Sequence, residues 1–263
     1  MDAPRPIESV LRAFAVVKAM NLRPISSLAD LHRETGLPKA TLIRLLQTLE
    51  HAGLAGKGPR YGTYELRSGL VSLVSGYHSS PMIVEAAAQV AEKITREIKW
   101  PVAVAVPDGG AMVVRYSTIP RSSLSLLHSS IGMRLSLVTR ALGRAYLAYC
   151  SDEERQALLD LVASGGGEGA DHARDAKMID KIVSETRARG YAIRDPLVRP
   201  VSSTLAVPIF MDSTVTASIG FTWFRSTYDI EKAVERYLTT MREAAKDISR
   251  RLSELAAARA EIG

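Results

Sequence analysis

Residues 26–50 constrain this chain most. The run Ser26-Ser27-Leu28-Ala29-Asp30-Leu31-His32-Arg33-Glu34-Thr35-Gly36-Leu37-Pro38-Lys39-Ala40-Thr41-Leu42-Ile43-Arg44-Leu45-Leu46-Gln47-Thr48-Leu49-Glu50 reads as two short helices joined by a tight turn. Ser27 precedes Asp30 by three, the spacing of a capping box, so a helix runs from Leu28 to about Glu34 with Leu28 and Leu31 inward. Gly36 falls where a left-handed residue closes that helix. Pro38 sits at the start of the next helix, where a missing N–H costs little. Leu42, Leu45, Leu46 and Leu49 then recur at i, i+3, i+4 and i+7 and put one face in a core. Lys39, Thr41, Arg44 and Thr48 fall largely on the other faces. Lys and Arg pair with phosphates or guanine edges, and Thr with phosphate oxygens or a thymine methyl, so this surface suits a DNA groove. A helical hairpin with a merely solvated charged face is the alternative.

The flanking residues favour the first reading. Val10, Leu11, Phe14 and Val17 recur at helical spacing and predict a helix from about Ser9 to Met20. Gly53 stops the second helix of the pair, and Lys57-Gly58-Pro59-Arg60-Tyr61-Gly62 is a basic, turn-rich loop. With Leu54 before it and Thr63 to Leu66 alternating after it, the loop reads as a β-hairpin, the wing of a winged helix. Lys57 and Arg60 at its tip would meet backbone phosphate. Residues 1–66 carry nine Lys/Arg against six Asp/Glu, half of the whole chain's excess of +6. The candidate DNA-contacting residues are Ser27, Lys39, Thr41, Arg44, Thr48, Lys57 and Arg60.

The 263 residues allow two domains at roughly 150 residues each. Hydrophobic content of 46% and charged content of 24% argue against disorder, and a pI near 9.5 favours polyanion partners. A single cysteine, Cys150, permits no intramolecular disulfide and fits a reducing compartment. The first residues lack the apolar run of a signal peptide, and no stretch approaches the ~18 apolar residues of a membrane span. A soluble, cytoplasmic protein with no membrane partner is expected. The five histidines show no metal-ligand spacing, so neither a metal nor a cofactor is expected. Cys150 ends an apolar helix without any catalytic constellation and reads as a buried structural thiol. Gly165-Gly166-Gly167-Glu168-Gly169 lacks the Lys-Ser/Thr of a phosphate loop and reads as a flexible connector.

Beyond residue 66, Leu70, Leu73 and Val74 mark a short apolar helix between Ser68 and Tyr77, and Pro81 opens a longer one. Short β-patterns follow at 102–106, 112–116, 124–128, 204–210 and 215–223. Ser151 and Glu154 form a second capping-box pattern ahead of Leu158, Leu159 and Val162. The stripe Val234, Leu238, Met241, Ala245, Ile248, Leu252 and Leu255 fits either a coiled coil or a core-facing terminal helix. Strands mixed with helices predict an α+β domain with a mostly antiparallel sheet.

Several stretches resemble one family. Pro6 to Phe14, the helix pair with Arg44-Leu45-Leu46, and Gly62-Thr63-Tyr64-Glu65-Leu66 are similar to the DNA-binding domain of IclR-type bacterial transcriptional regulators. Residues 131–148, Arg189-Gly190-Tyr191 and Leu205-Ala206-Val207-Pro208-Ile209 are similar to that family's effector domain. The resemblance implies a winged helix-turn-helix over 1–66, a linker helix over 67–80 that helps dimerise the DNA-binding domains, and a GAF-like effector-binding domain over 81–263. It implies a regulator and no enzyme, acting on a double-stranded DNA operator as a homodimer or a dimer of dimers. Pro38 and Ala40 stand where most members have serine, Ser136 where they have proline, and Arg140 where a small or hydroxyl residue is common. The stretch from Trp100 to Leu135 most resembles the branch that regulates hydroxyphenylpropionate and related aromatic-acid catabolism.

Positions matching the family's ligand-lining residues are Ala141, Leu142, Arg194 or Asp195, Thr204, Gly220 and Thr222. The expected effector is an aromatic or other small carboxylic acid. Arg140 or Arg115 would pair with its carboxylate, helped by backbone N–H groups at the start of the Ala141 helix. His128 and Thr222 would meet a ring hydroxyl, and Phe221, Trp223 and Leu142 would flank the ring. The competing expectations are an enzyme with a GAF-like catalytic domain plus an accessory nucleic-acid-binding module, and a DNA architectural protein.

Overall fold

The local signals around Ser27 set the first unit. The computed structural model describes residues 6–74, 81–124 and 129–260. Helix α1 (Glu8–Met20) precedes a two-residue strand β1 (Ser26–Ser27), helix α2 (Leu28–Thr35) and helix α3 (Lys39–His51). Both halves of the capping box form: the Asp30 amide donates to Ser27 Oγ at 3.1 Å and the Ser27 amide to Asp30 Oδ2 at 3.0 Å. Those bonds from Ser27, with Arg33 behind them, hold the Asp30 carboxyl far below the usual carboxylate range. Gly36 ends α2 at φ 69°, a left-handed geometry that costs glycine nothing. Strands β2 (Ala55–Lys57) and β3 (Thr63–Leu66) pair antiparallel, and β1 joins them to give the order β1-β3-β2. A short helix, α4 (Gly69–Val74), follows.

Val16, Met20, Leu31, Leu42, Leu46, Leu49 and Ala55 form the core of this unit. The stripe that predicts α1 is not the one it buries. Val10, Leu11 and Phe14 are about half exposed, at 46%, 50% and 57%. Helical spacing reports an apolar face; it does not say what covers that face.

The second unit is built on a six-stranded, wholly antiparallel sheet in the order β6-β5-β4-β9-β8-β7. Its strands are β4 (Val102–Asp108), β5 (Ala111–Ser117), β6 (Arg134–Ser136), β7 (Ala192–Ile193), β8 (Ser202–Met211) and β9 (Thr214–Phe224). Alternation along β8 and β9 sends Leu205, Val207, Ile209, Ala217, Ile219, Phe221 and Trp223 to one face. There they pack under α5 (Pro81–Ile98) and α10 (Ile230–Ala260). The 234–255 stripe is therefore core-facing: Met241, Ala245, Ile248 and Leu252 are buried, with Val234, Leu238 and Leu255 beside them.

The other face carries α6 (Ala141–Leu147), with α7 (Asp152–Gly165), α8 (Ala170–Arg174) and α9 (Ala176–Arg189) outside it. Ser151 caps α7, but only half of the predicted box forms. The Glu154 carboxylate instead accepts from the Tyr146 hydroxyl of α6. Of the predicted strand at 124–128, Leu124 lies in a turn and the rest falls outside the described residues. Strand β6 has no counterpart among the β-patterns of the sequence, because it is a three-residue edge, too short to alternate visibly.

Helix α6 sits tightly on the segment that leads into it. A Cβ built on Gly143 would lie 2.3 Å from the Ser136 carbonyl oxygen and 2.5 Å from Leu137 Cα. Both are backbone atoms and have little room to yield. Gly143→Ala should therefore destabilise this unit by about 1–3 kcal/mol through overpacking, read as a lower melting temperature in calorimetry.

Candidate functional site

In the first unit, Ala40, Ile43, Arg44, Gln47 and His51 share the outward face of α3 and are exposed. Thr41 and Thr48 flank that face on one side and Lys39 on the other. Thr41 is half-buried, and the Thr48 hydroxyl donates to the Arg44 carbonyl at 3.0 Å. Ser27 is engaged with Asp30 at the start of α2, its hydroxyl 2.6 Å from the carboxylate. Lys57 and Arg60 are exposed on the hairpin, beside the fully exposed Tyr61 at its tip.

The basic residues of this unit divide into two kinds. Arg23 is tied to Asp30 at 3.0 Å and to Glu34 at 2.7 Å, and Arg33 to Asp30 at 2.5 Å. Lys39, Arg44, Lys57 and Arg60 are exposed, and no ion pair to another described residue is found for them. They present positive charge outward from the helix and the wing, as a polyanion partner requires. Ile43 and Gln47 lie on the same face as Arg44, and counting helical steps from Arg44 would have found them.

In the second unit, register assembles the α6-facing side of the sheet. Thr222 pairs with Thr204, and the Arg194 amide donates to the Thr204 carbonyl at 3.1 Å, so Thr222, Thr204 and Arg194 form one row. The next row is Ser117, Ala103, Gly220, Ala206 and Ala192. Four of these five are alanine or glycine, which leaves that face shallow. The hydroxyls of Thr204 and Thr222 lie 2.9 Å apart. Ala141 and Leu142 begin α6 above the sheet, where Ser218 Oγ donates to the Leu142 carbonyl at 2.8 Å.

The charges around this side are unevenly matched. Asp195 pairs with Arg144 at 3.1 Å, and Arg144 also donates to the Val138 and Ile193 carbonyls. Arg140 holds Glu168 through both ends of its fork, at 2.8 and 2.7 Å. Arg194 is 6% exposed. Its Nη2 donates to the Ser202 carbonyl and hydroxyl, while its Nε has no hydrogen-bond partner among the described residues. Burial, then the like charges of Arg140, Arg199 and Arg225, push its guanidinium down to about 10, with Glu168 opposing them. Sequence reasoning missed Glu168 and Arg225, which reach Arg194 only through long-range folding, and Arg199 and Ser202, which a local turn brings back to it.

Several expected neighbours lie elsewhere. Arg115 bonds Asp108 at 3.3 Å toward the β4–β5 turn, the opposite end of the strands from Ser117 and Thr222. Phe221 and Trp223 point to the opposite face of the sheet, where they stack at 5.2 Å under α10 and cannot flank a ring beside Thr222. His128 lies outside the described residues. Cys150 is buried, donates to the Leu147 carbonyl, and is pushed up to about 11 by burial, which leaves an unreactive thiol. No group of three or more His, Cys, Asp or Glu among the described residues is placed to hold a metal, and none of their helices is long and apolar enough to cross a membrane.

A winged helix with an outward basic face, joined in one chain to a sheet that gathers arginines and hydroxyls on one face, is the layout of a ligand-binding transcriptional regulator. Comparison with known proteins makes the class specific. Residues 9–59 match the IclR helix-turn-helix domain and residues 75–250 the bacterial transcriptional regulator IclR C-terminal domain. The chain belongs to the IclR family of transcriptional regulators, with a DNA-binding and an effector domain.

It is 26% identical over 252 residues to the HTH-type transcriptional regulator KipR of Bacillus subtilis, covering 93% of this chain and 97% of that one. The Thermotoga maritima IclR structure has the same fold, with a TM-score of 0.67 at 19% identity over 94% of this chain and 99% of that one. So does an IclR homolog from Microbacterium hydrocarbonoxydans complexed with 4-hydroxybenzoate, with a TM-score of 0.61 at 20% identity over 93% and 98% of the two chains. The matched domains and curated relatives are transcriptional regulators, which sets the enzyme alternative aside.

Proposed function

We propose that this regulator binds a DNA operator as a homodimer and that a small aromatic carboxylic acid alters that binding to control a catabolic operon. Arg44 reads a base edge, with Lys39, Thr41 and Thr48 beside it; Ser27 at the start of α2, and Lys57 and Arg60 on the wing, hold phosphates. The exposed apolar faces of α1 (Val10, Leu11, Phe14) and α4 (Val71, Leu73) support a second copy as the partner. Light scattering reads that assembly.

The observation that carries the effector reading is Arg194. A cation this buried, ringed by like charge and with an idle Nε, is stabilised by an incoming carboxylate through a charge-assisted pair. Arg140 stands beside it, and Arg115 is left out of the site because it faces Asp108. Thr204 and Thr222 supply hydroxyls, and the Ala103, Gly220 and Ala206 row brings no bulky side chain to that face. Asp195 orients α6 through Arg144. The 4-hydroxybenzoate bound by the Microbacterium homolog supports an aromatic acid as the first candidate. Effector binding then shifts the population between arrangements of different DNA affinity.

A mobility-shift assay on the DNA upstream of the protein's own gene tests the reading. A retarded band is expected, with its midpoint moved by 4-hydroxybenzoate or another aromatic acid. DNA binding that no carboxylate alters would remove the effector half of the proposal.

A further inference from the structure

Glu168 belongs to the glycine-rich connector between α7 and α8, yet its carboxylate is held as a ligand would be. Arg140 grips it bidentately, Nε to Oε1 at 2.8 Å and Nη2 to Oε2 at 2.7 Å. The Thr139 hydroxyl donates to the same Oε1. These bonds, the Arg140 fork first, hold the carboxyl below its usual range, and the charge of Arg194 adds to them. Bidentate capture by a planar fork is the geometry with which arginine takes any carboxylate.

The connector packs closely on one side of Glu168 and is exposed on the other. Gly169, at φ 90°, packs so closely on the segment entering α6 that a Cβ would lie 2.3 Å from Val138 Cγ2 and 2.7 Å from Ser136 Oγ. Gly165, Gly166 and Gly167 have nothing within 4 Å of such a Cβ. A short hinge of glycines thus leads to a carboxylate, seated beside a buried arginine that has an idle donor. Arg140 and Arg194 both act on this carboxylate, while Arg199 and Arg225 add their like charge around Arg194.

We propose that Glu168 is a tethered competitor: it occupies the Arg140 fork, and a carboxylate ligand enters this site by displacing it. This rests on the carboxylate site proposed above at Arg194 and Arg140. Displacement frees residues 165–168 to swing about the glycines, so occupancy of the site is passed to the α7–α8 connection. Glu168 thereby sets the ligand concentration at which the regulator responds.

The test uses the full chain and three probes. Acetate is followed by the arginine Nε–Hε signals in NMR, and 4-hydroxybenzoate and its neutral amide by calorimetry. Glu168→Gln should bind both acids about tenfold tighter than the wild type, since a charge-assisted rival has been removed. The amide should be unaffected. In an Arg140→Ala background, Glu168→Gln should change nothing. Acetate binding that is absent from Glu168→Gln, or no tighter than in the wild type, overturns the proposal and leaves Glu168 a brace of its loop. If acetate tightens and 4-hydroxybenzoate does not, the competitor stands and the aromatic reading falls. Should circular dichroism show Glu168→Gln misfolded, Glu168→Asp withdraws the carboxylate by one methylene. An intermediate gain in acetate affinity then supports the proposal, and no gain overturns it.

Discussion

Alanine at Arg44 should weaken operator binding by about 1–3 kcal/mol per half-site, roughly 30- to 25,000-fold for a dimer that loses the contact twice. The side chain is exposed, with no ion pair or side-chain hydrogen bond found to another described residue, so its removal leaves the core of Val16, Leu31, Leu42 and Leu46 intact. Stability should stay within about 0.5 kcal/mol of the wild type, which separates a reading role from a structural one. Competition with scrambled DNA sharpens the result. Non-specific binding should fall far less than specific binding, because a base contact carries discrimination and a phosphate contact does not. Lys57→Ala and Arg60→Ala should behave the other way. Each should weaken specific and non-specific DNA about equally and reduce the salt slope by about one. An Arg44→Ala protein that shifts operator DNA at the wild-type concentration would show that α3 is not read at this position. Gln47 and Ile43, on the same face, are then the next residues to replace.

The parts of the fold that follow from neighbouring residues were legible in the sequence. The Ser27–Asp30 box, the left-handed Gly36, the leucines of α3 and the hairpin between Lys57 and Thr63 are all set within a few residues. Glu154 shows where such reasoning stops. Its spacing from Ser151 is right for a cap, but Tyr146 takes its carboxylate, and no local rule contains Tyr146. Phe221 and Trp223 show a second limit. Alternation declares that they share a face and that Gly220 and Thr222 share the other; only the packing of α10 decides which face is which.

The effector side was legible residue by residue but not in its charge balance. Arg140 and Arg115 look equally available along the chain. One meets Glu168 across the connector and the other Asp108 across a hairpin. Arg194 is singled out only after Thr204 pairs beside it and Ser202 closes over it, pairings that depend on where β8 lies in the sheet.

Replacing Arg194 by methionine should weaken carboxylate binding at least a hundredfold while leaving the protein folded, and the two readouts together isolate its role. Two effects on stability oppose each other. Removing a buried cation from among Arg140, Arg199 and Arg225 relieves desolvation and repulsion, and an apolar side chain of similar length keeps the volume filled. Against this, the Ser202 carbonyl and hydroxyl lose their donor, a loss of about 1–3 kcal/mol for buried acceptors. The net change in melting temperature should therefore be small. Its dependence on pH has a definite sign. The folded-state value of about 10 lies below the ordinary arginine range, so the wild type gains stability as pH rises above about 10 toward that range, and methionine removes that gain.

Binding has no such compensation. Without the guanidinium, a carboxylate entering beside Thr204 is left with Arg140, which Glu168 already holds. Affinity for 4-hydroxybenzoate should fall at least a hundredfold, about 2.7 kcal/mol, with the operator shift unchanged in its absence. Arg194→Lys keeps the charge without the fork and should retain part of the affinity. Binding of the acid at wild-type strength by Arg194→Met would move the anion site away from this row, and would leave the buried charge of Arg194 as a structural tie on Ser202 alone.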